Sequence, residues 1–91
     1  MPYTVKVASR AVEKQLAAVP EEDREHVVIR IRNLVEQPRP KGVKALAQDV
    51  YRLRTGRYRV IYKILEKEEV ILIGKVALRT ERTYKGLEEL F

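Results

Sequence analysis

The chain has 91 residues, with 19 basic and 13 acidic side chains and a formal net charge of +6. It has no cysteine and a single histidine, His26, which excludes a disulfide framework, a cysteine-based zinc site and a histidine cluster. No stretch approaches the roughly 18 apolar residues that a membrane span needs, and the first residues lack an apolar signal core. We therefore expect a single domain over residues 1–91, located in the cytoplasm, with no metal and no cofactor.

The positive charge is concentrated in the middle of the chain. Between Arg39 and Lys63 there are eight basic residues and one acidic residue, Asp49, whereas the rest of the chain is close to neutral. Five of the eight are arginines, whose guanidinium groups bind phosphate in a bidentate manner. This segment indicates a site for a polyanion; the alternative is a solvated basic face that only maintains solubility.

The apolar spacing of the first half predicts one strand and two helices. Alternating apolar residues favour a strand over residues 3–7. Ser9 has the chemistry of an N-cap for a helix over residues 10–19. A second helix is predicted to begin at Pro20 and to be ended by Pro38 and Pro40. The short connection between the two helices predicts an antiparallel hairpin.

The second half changes to the two-residue period of a sheet. After a loop over residues 37–44, strands are predicted over residues 50–55 and 58–65, with a turn at Gly56. Residues 70–77 are apolar on both faces and are expected to form an interior strand. We expect the N-terminal strand to join this sheet and residues 78–91 to form a tail that ends in a short helix. The fold class is α+β, with a helical hairpin packed on one face of a small, mainly antiparallel sheet.

The face of this sheet away from the helices is expected to carry basic side chains. Arg52 and Arg54 share one side of their strand, and Arg59 and Lys63 face outward if the apolar side of the next strand faces the helices. Such a surface suits attack of an RNA 2′-hydroxyl on its adjacent phosphodiester, because arginines can stabilise the charged transition state. It would equally suit a module that binds nucleic acid without cleaving it.

Three motifs together resemble the RelE/ParE toxin superfamily. The run Tyr51-Arg-Leu-Arg-Thr-Gly-Arg-Tyr-Arg-Val-Ile-Tyr-Lys-Ile64 is similar to the central signature of that family. The upstream Lys44-Ala-Leu46 and the downstream Arg79-Thr-Glu-Arg82-Thr-Tyr84-Lys85 are similar to its flanking elements. The resemblance covers nearly the whole chain and depends on the order and spacing of the motifs.

The resemblance implies the toxin of a toxin–antitoxin pair. Its RelE branch implies a metal-independent, ribosome-dependent endoribonuclease that cleaves mRNA in the ribosomal A site and so inhibits translation. The implied partners are a cognate antitoxin, in a heterodimer or heterotetramer, and mRNA on the ribosome with its 16S rRNA; no membrane is implied. The alternative within the same superfamily is a ParE-like protein that inhibits DNA gyrase by protein–protein contact and cleaves nothing.

The resemblance also implies roles for single residues. Arg52 and Arg54 would hold the scissile phosphate and lower the pKa of the 2′-hydroxyl, and Arg59 would stabilise the transition state. Arg79, with Arg82 as the alternate, would neutralise charge or protonate the leaving group, and Tyr84 would stack on or orient the base beside the cut. The further residues expected to bind RNA are Lys41, Lys44, Arg57, Lys63 and Arg82.

Overall fold

Two helices and a five-stranded sheet account for most of the chain. The computed structural model describes residues 3–80 and 87–91, without the side chains of residues 88 and 89. Arg82 and Tyr84 lie outside the described residues, so the roles expected of them stay predictions. The elements in chain order are β1 (Thr4–Val7), α1 (Arg10–Ala18), α2 (Glu21–Asn33), β2 (Lys44–Ala47), β3 (Val50–Thr55), β4 (Tyr58–Leu65), β5 (Val70–Leu78) and a short 3₁₀ helix (Leu87–Leu90).

The sheet has the strand order β1-β5-β4-β3-β2. The antiparallel pairs β3–β4 and β4–β5 confirm the predicted meander, and the place of β5 between β1 and β4 confirms that it is interior. The N-terminal strand joins the sheet as expected, and it runs parallel to β5, with Thr4 opposite Val70. The α+β class and the helical layer are therefore confirmed.

Both helices lie where the sequence predicts them, but α2 ends earlier. Ser9 is the N-cap residue of α1, and α2 begins directly after Pro20 with acidic residues in its first turn, which the helix dipole favours. The prediction that Pro38 and Pro40 end α2 is wrong. The helix stops at Asn33, and the N–H of Leu34 bonds to the carbonyl of Ile31 at 3.1 Å, a three-residue spacing that tightens the last turn.

The core lies between the helices and one face of the sheet. Val12 of α1, Val27 of α2 and Leu53 of β3 are almost fully buried in it. Tyr62 of β4 is also fully buried, and its hydroxyl donates a hydrogen bond of 2.6 Å to the carbonyl of Pro38. That bond satisfies the one polar atom of the ring, and burial raises the pKa of Tyr62.

The strand β2 was not predicted. It is short, it lies at an edge of the sheet, and its alanines and single leucine carry little strand signal. Its pairing with β3 places Lys44 directly opposite Arg52. The loop was predicted to run to residue 44 and ends one residue earlier. Lys44 therefore belongs to β2 and adds a basic side chain to the sheet.

The opposite face of the sheet, called here the open face, is defined by the register of the strands. Lys44, Arg52 and Ile61 are successive register partners across β2, β3 and β4. The side chains assigned to it are those of Thr4, Lys6, Lys44, Val50, Arg52, Arg54, Arg59, Ile61, Lys63, Leu65, Val70, Leu72, Lys75 and Ala77. The C-terminal segment (residues 87–91) lies against this face, where Leu87 and Phe91 line a small cleft with Val50 and Lys63.

Phe91 packs directly on Gly74 of β5. A Cβ atom at position 74 would lie 2.6 Å from two carbons of the Phe91 ring, so Gly74→Ala is expected to displace that ring. The displaced group is the end of a side chain, so the melting temperature should change little. The Phe91 ring resonances in NMR spectra should shift. Unchanged ring resonances in Gly74→Ala would contradict this packing.

Candidate nucleic-acid interface

The arginines of β3 and β4 lie on the same face of the sheet. Arg54 is the register partner of Arg59, and Arg52 is the partner of Ile61 on the same side. The β4 side chains that alternate with Arg59, such as Val60 and Tyr62, are buried against the helices. The arginines are therefore on the open face, as expected. Directly opposed side chains have Cβ atoms about 4.5–5.5 Å apart, and like charges so placed repel each other.

The expectation that Arg59 faces outward into solvent is wrong in one respect. Arg59 belongs to the open face, but only 5% of it is exposed. It lies on an interior strand, with Arg54 on one side and Ala77 on the other. Ile61 on the same face is only 3% exposed, so the centre of the open face is covered. The more accessible arginine of the pair is Arg54, which is exposed on the neighbouring strand.

Arg79 reaches the same end of the sheet as Arg54. It follows β5 directly, and its N–H donates a hydrogen bond of 2.7 Å to the carbonyl of Arg57. Its guanidinium Nη1 donates to the carbonyl of Gly56 at 3.2 Å. Gly56 has a φ of 59°, which a turn glycine adopts readily. The β3–β4 turn therefore holds both the backbone and the side chain of Arg79.

The other residues expected to bind RNA are spread more widely. Lys44 continues the row of Arg52, and Lys63 lies near the C-terminal segment at the other end of the open face. Lys41 is exposed in the loop before β2. Arg57, in the β3–β4 turn, pairs with Asp23 of α2 at 2.7 Å, and this hydrogen bond raises the pKa of the guanidinium.

Lys75 of the open face, and Leu78 at the end of β5, were not singled out from the sequence. Lys75 is the register partner of Ile61 and so belongs to the open face. The break in register between Ile61 and Tyr62 hides this placement, because a simple two-residue period cannot locate a bulge. Leu78, at the end of β5, is 47% exposed. The sequence placed Leu78 at the start of the tail, whereas in the structure it is the last residue of β5 and pairs with Tyr58.

The loop before β2 is held by a group of aromatic and charged side chains. Arg39 donates from Nη2 to Glu66 at 2.6 Å and from Nε to the Tyr51 hydroxyl at 2.9 Å. Its guanidinium carbon also lies 5.4 Å from the centre of the Tyr51 ring, within cation–π range. Tyr3 donates to the second oxygen of Glu66 at 2.6 Å. Glu66 therefore joins the loop, the N-terminal strand and the β4–β5 turn.

Glu66→Gln is expected to lower the melting temperature at neutral pH. The hydrogen bonds from Tyr3 and Arg39 hold the pKa of Glu66 below its ordinary value of 4.5. A carboxylate with a lowered folded-state pKa stabilises fully above its unfolded pKa and loses that contribution as the pH falls through the folded one. The difference between wild type and Glu66→Gln should therefore begin to shrink as the pH falls below about 4.5 and be lost once the pH is below the lowered folded-state pKa.

A neighbouring acid provides the control for this prediction. Glu68→Gln removes a charge from the same exposed turn and leaves the bonds to Tyr3 and Arg39 in place. It should change the melting temperature less than Glu66→Gln. Equal effects of the two variants at every pH would show that net charge, and not this pair of hydrogen bonds, is responsible.

The chemistry available on the open face is that of arginine and lysine. Among residues 3–80 and 87–91, no group of histidine and carboxylate side chains is arranged to hold a metal ion. No helix in this part of the chain is long and apolar enough to cross a membrane. The strand positions assigned to the open face include no acidic residue. A polyanion bound there would contact positively charged hydrogen-bond donors.

Comparison with known proteins gives concordant matches. The family described as "ParE toxin of type II toxin-antitoxin system, parDE" matches residues 7–83. A protein of Methanocaldococcus jannaschii, named as the candidate toxin RelE1, is 32% identical over 91 residues, which cover 94% of this chain and 99% of that protein.

Solved structures of toxin–antitoxin complexes have the same fold. The archaeal RelE–RelB complex from Pyrococcus horikoshii contains a chain with 30% identity and a TM-score of 0.76, covering 90% of this chain and 100% of that one. The RelBE2 complex of Mycobacterium tuberculosis contains one with 25% identity and a TM-score of 0.75, covering 87% and 100%.

These matches and the architecture define a bacterial and archaeal type of small toxin, built from a helical hairpin on a mixed sheet. The chain belongs to the RelE/ParE superfamily and is a RelE-like toxin of a toxin–antitoxin system.

Proposed function

We propose that this toxin is a metal-independent endoribonuclease that cleaves mRNA in the A site of the ribosome. The observation that carries the proposal is the opposed pair Arg54 and Arg59 on the open face, with Arg52 on the same strand and Arg79 held at the same end. Guanidinium groups so grouped suit a phosphodiester that gains negative charge during the reaction. We further propose that residues 1–91 act as one toxin domain in the cytoplasm.

The reaction proposed is an internal transfer within the RNA. The 2′-oxygen gives its proton to water and bonds to the adjacent phosphorus, and the bond from phosphorus to the 5′-oxygen breaks. The 5′-oxygen takes up a proton, which leaves a 2′,3′-cyclic phosphate and a 5′-hydroxyl. The nucleophile is already part of the substrate, so the protein mainly has to align it and stabilise the charge. Arg52 and Arg54 would hold the phosphate, Arg59 would stabilise the transition state, and Arg79 would neutralise the leaving group or protonate it. Tyr84 would orient the neighbouring base.

The proposed partners are an antitoxin and the ribosome. The related toxins of P. horikoshii and M. tuberculosis were solved as complexes of RelE with RelB and of RelBE2. An antitoxin for this chain would place acidic or amphipathic segments against the basic face of a protein with net charge +6. Ribosomal RNA, including 16S rRNA, would meet the outlying Lys41, Lys44 and Lys63.

The experiment that tests the proposal is primer extension on translated mRNA with the wild-type toxin and Arg59→Ala. Wild-type protein should give new 5′ ends in ribosome-bound message, where the downstream fragment begins, and Arg59→Ala should remove them. A melting curve of Arg59→Ala controls for its fold, because Arg59 is buried. Identical cut patterns for the two proteins would refute the assigned site, and an absence of cuts by folded wild type would refute the activity.

Gyrase inhibition is a second candidate because the family that matches residues 7–83 is described as the ParE toxin. Labelled precursors distinguish the two after induction in a bacterial host. Early loss of translation with replication spared favours mRNA cleavage. Early loss of replication, with inhibition of supercoiling by the purified protein, would favour the gyrase function.

A further inference from the structure

A cleft opens at the end of the sheet where the β3–β4 turn meets the end of β5. Its volume is about 580 Å³, and it is lined by Arg54, Arg57, Leu78, Arg79 and Thr80. Three of these five side chains carry a guanidinium group, and no acid is among the described residues that line it. The cleft adjoins the Arg54–Arg59 pair without including Arg59.

Two of the arginines are held in place by contacts outside the cleft. The side chain of Arg79 is bonded to the carbonyl of Gly56, and its backbone is bonded to that of Arg57. Arg57 pairs with Asp23 of α2, and its side chain is 72% exposed. The two contacts of Arg79 keep its positive charge at the mouth of the cleft before any ligand arrives, which lowers the ordering cost of binding.

Leu78 gives the same cleft an apolar wall. It is 47% exposed at the end of β5, although the strand positions before it, such as Val76, are buried. A leucine beside three arginines does not suit a simple inorganic anion, which gains nothing from an apolar surface. It suits a ligand that has both a phosphate and a flat apolar surface, as a nucleotide does.

We propose that this cleft is a nucleotide subsite, in which Arg57 contacts a phosphate and the base lies against Leu78, next to the Arg79 that the proposed function assigns to the leaving group. The inference rests on the proposed function, because the nucleotide would be the neighbour of the one whose phosphate is held by Arg54 and Arg59. It adds Leu78 as a residue that senses whether a base is present. It also assigns Arg57, so far only one of the residues expected to bind RNA, to the phosphate of this neighbouring nucleotide.

The test measures binding separately from cleavage. A short RNA with 2′-deoxyribose at the scissile position cannot undergo the transfer, and a matched strand lacks only the neighbouring base. Wild-type protein is expected to bind the intact strand about fivefold to tenfold more tightly than the strand without the base, by fluorescence anisotropy. Leu78→Ser should reduce this ratio to about one.

The matched control is Ile29→Ser. Ile29 is 48% exposed on α2, close to the value for Leu78, and lies outside the cleft. It should leave the ratio unchanged. Arg57→Gln should weaken both strands and lower the slope of log affinity against log salt by about one, as expected for the loss of one phosphate contact.

The outcomes separate this inference from the proposed function. Equal affinity of wild type for the two strands, no binding of either strand, or equal ratios for Leu78→Ser and Ile29→Ser would overturn the subsite. A toxin that cleaves message but shows no base dependence would refute the subsite alone. A toxin that cleaves nothing yet prefers the intact strand through Leu78 would refute the proposed cleavage and retain the subsite.

Discussion

Combined replacement of Arg54 and Arg59 by alanine is expected to slow mRNA cleavage by about the same factor as Arg59→Ala alone, about 100- to 1,000-fold. The two residues are register partners on β3 and β4 and belong to the same face. If both contact one phosphate, removal of either leaves the other poorly placed, so their effects are not additive. Single-turnover cleavage on ribosomes that carry a defined message measures the rates of wild type, the two single variants and the double variant.

Two controls make the result interpretable. Arg30→Ala removes an exposed arginine from α2 and should leave the rate unchanged. Arg59→Lys retains a positive charge but loses the bidentate geometry, and it should give a rate between those of wild type and Arg59→Ala. Rate losses for Arg54→Ala and Arg59→Ala that multiply in the double variant would mean that the two arginines act on separate groups.

Leu53→Ala is expected to lower the free energy of unfolding by about 2–5 kcal/mol. Leu53 lies between Arg52 and Arg54 on β3 and is 1% exposed, so alanine leaves a cavity between the sheet and the helices. A domain of this size has a total stability of about 5–14 kcal/mol, so this one change removes a large share of it. Urea unfolding followed by circular dichroism gives the midpoint and the slope.

The same chemical change at another position is the control. Leu78→Ala removes the same atoms from a side chain that is 47% exposed, and it should cost less than about 1 kcal/mol. A similar loss at both positions would contradict the assignment of Leu53 to the core. A changed slope in Leu53→Ala would show that the unfolded or folded ensemble had changed as well.

The fold was predictable wherever a long apolar period was present. The period-two runs of β3, β4 and β5 and the stripe of α2 identify these elements without tertiary information. The strand β2 was missed because it is short and at the edge, where pairing with β3 and not local propensity determines its structure. The end of α2 was misplaced for a similar reason: the chain turns at Leu34, which is buried in the core, before it reaches Pro38.

The candidate site was predictable in its residue types but not in its shape. Alternation placed Arg52 and Arg54 on one side of their strand, but the pairing register that sets Arg54 opposite Arg59 was not given by the sequence and comes from the structure. The burial of Arg59 could not be predicted, because it depends on what lies over the open face. The cleft beside Leu78 depends on where β5 ends relative to the β3–β4 turn, and no local pattern reports such a distance.

The parallel pairing of β1 with β5 has a consequence for the order in which this toxin can assemble. The register partner of Thr4 is Val70, so β1 can pair with the sheet only after β5 has been synthesised. Contacts between such distant segments form slowly, and a growing chain makes its N-terminal part first. Until β5 is made, β1 has no strand to join and β4 has an open edge. An unfinished copy therefore lacks the strand that joins β1 to the β4–β3 pair, and the ribosome that translates this message is not exposed to a completely folded toxin until synthesis has passed β5.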